Sequence, residues 1–391
     1  MKKIFASQVK VGMELPCDVY NKDGVLLWVA GSTVKSTRQA EKLANDGYRT
    51  ELQEWIVNKG LSKVVNGDTV GSTRRSYNYN TVVDAILELQ LPVNYIFDVF
   101  KTDNFFKEKR NLTPQIDAVV DAIIDMCDNH EDETIGTIHM FREGKFGILN
   151  AVYNCIMTVI ICKSIKVKDK YQRSLAAAAL TANGSIVKLM DGLCTQKTNM
   201  SNEQKQEYQI HPENSVMLLT RAGVRDPVLL DTVYMHHELL DGSGFPRGIK
   251  DDQIPVGARV LAIADAYVNL ILPKQSMQQA LSPPKALVHL FKKNSKRFDR
   301  KIMNKGISRL GAIPPGTFVE LKDGGVGIVL NNNGDAKTPV ITKVGDSITR
   351  FYSEFPFTAR FSVERVIPPP MQVPKKLFKL WASFEAVHKP Q

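Results

Sequence analysis

The stretch "VYMHHELLDGSGFPRGI" (233–249) sets two adjacent histidines, a glutamate and an aspartate ahead of a glycine-rich turn, in a chain with only seven histidines. Its lead-in, "PVLLDTVYMHHELL", has apolar spacings of three and four behind a proline, where a missing N–H costs nothing, and reads as a helix. Adjacent residues on a helix project about 100° apart. His236 and His237 therefore suit two ions, or one ligand with one supporting group, unless the backbone helps. A lone histidine in an apolar helix is most often a satisfied core residue. A His-His-Glu triplet followed by Asp-Gly-Ser-Gly is less easily assigned to packing alone.

Outward from this point the same helical spacing runs from Val82 to about Phe291, in "VVDAILELQLPVNYIFDVF", "IDAVVDAIIDMC" and "YQRSLAAAALTANGSIVKLM". "PENSVMLLTRAG" and "PVGARVLAIADAYVNLIL" also read as helices opened by their prolines. The most apolar run, "FGILNAVYNCIMTVIIC" (146–162), contains Asn150 and Asn154 and is short for a bilayer span, which marks it as a buried core helix. Before the helices, "VGMELPCDVYNKDGVLLWVAGSTV" alternates in strand fashion around a hairpin turn at Asn21–Gly24, and "TRQAEKLANDGY" is a short helix closed by Gly47. After them, "PPGTFVELKDGGVGIVLNNNGDAKTPVITKV" sets β-branched runs between Gly and Asn turns.

The expected architecture is multidomain, a central all-α domain flanked by small mainly-β modules. It divides into a β-rich module (1–63), a linker (64–81), a helical lead-in (82–147), the α domain (148–309), a second β module (310–370) and an amphipathic tail helix (371–391).

Composition is that of an ordinary globular protein, 43% hydrophobic and 24% charged, and the net charge of +10 makes an anionic partner reasonable without selecting one. Cys17, Cys127, Cys155, Cys162 and Cys194 form no CxxC pair and read as reduced, structural thiols of a cytoplasmic protein. The N-terminus lacks an apolar signal segment, and no membrane span is expected. In "HLFKKNSKRFDRKIMNKGISRLG" (289–311) the cations Lys292, Lys293, Lys296 and Arg297 are a candidate anion-binding surface beside the plainer reading of a solvated helix face. Nucleic acid is not expected, because no recognised reader fold or aromatic interleaving accompanies them.

Three motifs, "IHPENSVMLLTRAG" (210–223), "VYMHHELLDGSGFPRGI" (233–249) and "ARVLAIADAYVNL" (258–270), in this order and spacing, closely resemble the HD-GYP domain, the cyclic di-GMP phosphodiesterase branch of the HD metallohydrolase superfamily. The resemblance covers roughly residues 80 to 310, and both flanking modules resemble segments that often accompany such domains. It implies an HD-superfamily helical fold in which His, Asp and Glu hold two or three ions and a metal-bound hydroxide attacks a phosphodiester. By motif match the retained ligands are His211, His236, His237 and Asp265, with Glu238 and Asp241 as supporting acceptors.

The resemblance also exposes losses. Thr181, Ala182 and Ser185 stand where the family has its His, Asp and Lys, and Phe146 and Asn150 where it has Glu and His. "KQSMQ" (274–278) replaces a basic phosphate-binding element. No catalytic residue is therefore assigned. The remaining set supports one divalent ion (iron, manganese or zinc) or none, and no dinuclear centre. The turn Asp241, Gly242, Ser243, Gly244, Phe245 and Pro246 survives best, and the family associates it with docking of partners such as GGDEF-type diguanylate cyclases. The expectation is a regulator in cyclic di-GMP signalling, acting by protein interaction or ligand sensing with little or no hydrolysis. The alternative is a reduced-site, metal-dependent phosphodiesterase.

Overall fold

The computed structural model describes residues 1–13, 15, 19–23, 25–28, 32–49, 79–101, 111–273, 280–293, 296–331, 339–347, 350–351, 361–370 and 372–388. Cys17, most of the expected linker (64–78) and "KQSMQ" (274–278) lie outside them.

The N-terminal module contains β1 (Lys2–Lys3), β2 (Val19–Tyr20), β3 (Leu26–Trp28), α1 (Thr37–Asp46) and β4 (Tyr48–Arg49), with an antiparallel sheet in the order β1-β4-β2-β3. Asn21 builds the expected turn, its Oδ1 accepting from the Asp23 and Val25 amides at 2.9 and 2.8 Å. The α1 helix starts where Ser36 accepts from the Gln39 amide and stops at Gly47. Ile4, Leu15, Val19, Val34 and Leu43 form this module's own small core.

The helical body comprises α2 (Val82–Val99), α3 (Thr113–Asn129), α4 (Glu131–Met140), α5 (Phe146–Ser164), α6 (Asp169–Thr181), α7 (Val187–Thr195), α8 (Asn202–Arg221), α9 (Pro227–Met235), α10 (Val256–Ile271), α11 (Pro283–Lys293) and α12 (Arg300–Leu310). The α5 helix is apolar all round, and every residue from Gly147 to Cys162 is buried. It is long and apolar enough to cross a membrane by composition, yet its neighbours here are α6 and α10 of the same body, as expected of a core helix.

Two of the three proline starts are observed. Pro227 opens α9 behind the Asp226 cap, and Pro255 caps α10. The third is displaced: α8 begins ten residues before Pro212, at a reciprocal cap between Ser201 and Gln204, and Pro212 sits mid-helix. Satisfying the first-turn amides at Ser201 outweighs the loss of one N–H at Pro212.

The C-terminal sheet, β5 (Phe318–Leu321), β6 (Val326–Asn331), β7 (Val340–Ser347), β8 (Arg350–Phe351) and β9 (Val363–Val366), is antiparallel in the order β8-β7-β6-β5-β9. It shares the body's core through Phe318, Ile328 and Leu330, and so do Leu377 and Phe378 in the turn before α13 (Leu380–His388) and Leu380 and Trp381 at its start. Trp381 Nε1 donates to the Leu330 carbonyl at 2.9 Å, and its ring lies where a side chain at Gly136 would have to be. Behind them the His139 Nδ1–H donates to the Pro315 carbonyl and Nε2 accepts from the Tyr267 hydroxyl, both at 2.7 Å.

Candidate functional site

Three imidazoles from two elements converge in the body. His211 comes from the middle of α8, while His236 and His237 follow the last residue of α9, with His236 as its C-cap. Because the helix ends at Met235, the adjacent histidines escape the 100° divergence a continuing helix would impose, and their ring centroids lie 4.1 Å apart. One ring nitrogen from each of the three lies within 4.8 Å of the others.

Backbone carbonyls set the tautomers. Pro212 has no N–H, so it cannot donate to the carbonyl four residues earlier, that of Tyr208, and the His211 Nδ1–H takes that acceptor at 2.5 Å. At the frayed end of α9 the His236 Nδ1–H donates to the Val233 carbonyl at 2.7 Å. A carbonyl can only accept, so both rings carry their proton on Nδ1 and turn a bare Nε2 inward.

Those two Nε2 atoms face each other at 3.3 Å, and His237 Nε2 is buried without a partner. Two inward lone pairs with no proton between them, beside an unpartnered His237 nitrogen, are unfavourable in a water-poor interior. Two nitrogens on one tetrahedral ion at 2.0–2.1 Å would be about 3.3 Å apart, so the residues fit one ion. The rings are also neutral, as ligation requires. Burial, then His236, holds His211 down to about 3 against the opposing pull of the Tyr208 carbonyl. Burial lowers His236 despite Asp265, and burial with its two neighbours puts His237 well below the usual range.

Asp265 is handled differently. It is buried on α10, outside the close histidine group, and carboxamides hold both its oxygens. Oδ1 accepts from Asn154 at 2.8 Å and Asn183 at 3.3 Å, and Oδ2 accepts from Asn269 at 2.9 Å. Asn150, one turn from Asn154 on α5, accepts from both Asn154 and Asn183 through its Oδ1. The Thr181 hydroxyl turns back to the Ala177 carbonyl, Ala182 is buried, and the Ser185 hydroxyl donates to the His211 carbonyl and shares a hydrogen bond with Ser215. None of these three residues carries a charge.

The glycine turn folds back over the histidines. Buried Glu238 accepts from the Arg247 and Ile249 amides at 2.6 and 3.1 Å and thereby closes it. Asp241 accepts from the Ser243 amide and hydroxyl. Gly242 has φ +76°, and a Cβ at Gly244 would lie 2.4 Å from the His237 carbonyl oxygen. Phe245, followed by Pro246, stacks on His237 at 4.6 Å with Tyr208 beside both rings at 5.8 and 5.5 Å, while Asp241 and Ser243 stay exposed.

A cleft of about 850 Å³ opens beside the site, lined by His236, His237, Asp265, Asn183, Tyr208, Phe245 and apolar side chains such as Met190 and Leu270. Of the basic segment, Arg297 lines the cleft together with His289, Lys292 and Lys296 are exposed, and Lys293 closes α11. Asn183, Asn269 and Tyr208 carry no motif signal, and sequence reasoning missed them. Pro212 inside a helix is the one signal that could have located the His211 acceptor.

Comparison with known proteins bears on the same residues. Residues 151–302, which hold all three histidines and Asp265, match the family model described as HD domain. A cyclic di-GMP phosphodiesterase of Pseudomonas aeruginosa is 21% identical over 216 residues, covering 55% of this chain and 52% of that protein. The cyclic di-GMP phosphodiesterase PdeB of Borreliella burgdorferi is 22% identical over 186 residues, 48% of each. The chain thus spans about half the length of the curated relatives it matches. A solved structure, Bd1817, a HDG"Y"P protein from Bdellovibrio bacteriovorus, aligns over 78% of this chain and 97% of that one at 16% identity, with a TM-score of 0.48. The motifs, the HD-domain match over residues 151–302 and these relatives together support the HD-GYP family for this part of the chain.

Proposed function

We propose that the chain is a regulator in cyclic di-GMP signalling that takes the dinucleotide or a protein partner at this face and hydrolyses little or none of it. The observation that carries the reading is the fate of Asp265. Its two oxygens already accept from the Asn154, Asn183 and Asn269 amides, and Ala182 supplies no carboxylate, which argues against a bridged second ion.

The residues present fit one divalent ion, held by His211, His236 and His237. When bound, such an ion supplies Lewis acidity toward a phosphoryl oxygen. The chain's own groups supply the rest. Tyr208 and Phe245 frame the cleft with aromatic faces, and Arg297 and His289 put basic groups along it. Ser185, spent on the His211 carbonyl and Ser215, has no charge with which to stabilise a leaving oxygen. The exposed Asp241 and Ser243 offer a polar edge to a partner such as a diguanylate cyclase domain.

Metal content and cyclic di-GMP turnover of the purified protein, with added iron, manganese or zinc, test this. The expected outcome is at most one equivalent of metal, with dinucleotide or partner binding and turnover near background. Fast turnover abolished by His237→Ala would overturn it and favour the second reading, a metal-dependent phosphodiesterase with a reduced site. The three converging imidazole nitrogens are what favour that alternative.

A further inference from the structure

The carboxylate of Asp265 lines the same cleft as His236 and His237, yet it is not one of the converging atoms. Three carboxamides approach it from three elements: Asn154 from α5, Asn183 from the turn after α6, and Asn269 one turn further along α10. Two of them are themselves tied to Asn150. Asn150, Asn154 and Asn183 are buried, and the Asn150 Nδ2 and Asn154 Oδ1 atoms have no hydrogen-bond partner, so the network is held together without every member being satisfied. A carboxylate that accepts three N–H bonds has most of its lone-pair sites committed and is a poorer donor to a cation than a free one. To join an ion at the imidazoles, Asp265 would have to rearrange bonds in which it is the acceptor for three amides.

From this arrangement we infer that Asn154, Asn183 and Asn269 form a clamp that holds Asp265 out of the metal's coordination sphere, leaving the ion to the three imidazoles and weakening its binding. The inference rests on the reading of the histidines as a single-ion site and deepens it. The asparagines are positioning residues. They act on the ion through Asp265, and Asn183 and Asn269 also line the cleft.

The test uses the full chain and cobalt(II) or zinc as probe, with affinity read by chelator competition and ligand field by the cobalt visible spectrum. Asp265→Asn is expected to leave affinity within about twofold and the spectrum unchanged. Asn183→Ala, Asn269→Ala and the double variant are expected to bind metal about tenfold more tightly, with a shifted cobalt band, and adding Asp265→Asn should cancel both changes. Thermal melts identify any variant that fails to fold, and the two single variants report independently.

A wild-type protein that loses affinity in Asp265→Asn would show that Asp265 already ligates, and would overturn the clamp while keeping the metal site. Unchanged affinity and spectra in all the asparagine variants would do the same. Were the wild type to bind no metal, gain of binding on releasing Asp265 would support the clamp. No binding in any variant would end both the clamp and the single-ion reading, and His237→Ala, showing no loss either, would identify that case.

Discussion

His211 and His236 present their Nε2 atoms to each other at 3.3 Å while the Nδ1 atom of each is bound to a backbone carbonyl. The arrangement is a pair of acceptors facing one another, and it becomes favourable only when something positive sits between them. Removing the third imidazole by His237→Ala should lower metal affinity at least tenfold, since even groups behind metal ligands are worth roughly 10–100-fold. Chelator competition measures it, and equal affinities would mean that His237 does not ligate.

The Tyr208 carbonyl is available to His211 because residue 212 is proline. Pro212→Ala should put an N–H back into α8, compete for that carbonyl and free the His211 ring to adopt the other tautomer. The helix gains stability, since proline is about 3 kcal/mol worse than alanine in a helix interior. The expected outcome is therefore a higher melting temperature together with weaker metal binding, a combination that general destabilisation cannot produce.

Gly244 lies against the backbone of His237, Glu238 and Leu239. A methyl group there meets main chain rather than a flexible side chain, so Gly244→Ala should cost about 1–3 kcal/mol in a denaturant titration, as overpacking does. The stack of Phe245 on His237 should loosen with it. A variant as stable as the parent would show that the turn is not seated as described.

His139 is buried, and its pKa is lowered to about 3 by burial first and by Arg142, against the Pro315 carbonyl. In the unfolded chain it titrates near 6.5. Between these values the unfolded state holds the extra proton, so stability from this group is complete above about pH 6.5 and is lost as pH falls toward 3. The slope is about 1.4 kcal/mol per pH unit for one such group. His139→Gln should flatten the dependence of unfolding free energy on pH between 6 and 4 by about that amount, while the buried site histidines keep a residual slope of the same sign.

Trp381 fills the space above Gly136. Gly136→Ala should push the indole from its place and break its 2.9 Å bond to the Leu330 carbonyl. Tryptophan emission shifting to the red, with the helical body still folded by circular dichroism, is the expected signature. An unchanged spectrum would mean that the tail packs elsewhere.

The sequence by itself determined the large divisions. Helical spacing from Val82 onward, β-branched runs after Leu310 and an all-round apolar segment at 146–162 follow from local patterning, which the chain expresses wherever it folds. The histidines and the glycine turn were likewise legible, because a motif with fixed spacing keeps its meaning without coordinates. The convergence of the three rings was not legible: it depends on α9 ending at Met235, just before His236, and on a proline-freed carbonyl in α8, and local backbone hydrogen bonding decided both. Nor does any local pattern join Asn154, Asn183 and Asn269, which are far apart in the chain and meet only because α5, α6 and α10 pack around one buried carboxylate. A buried charge takes whatever donors the surrounding helices bring to it, so the sequence could name Asp265, and only the tertiary structure could decide what holds it.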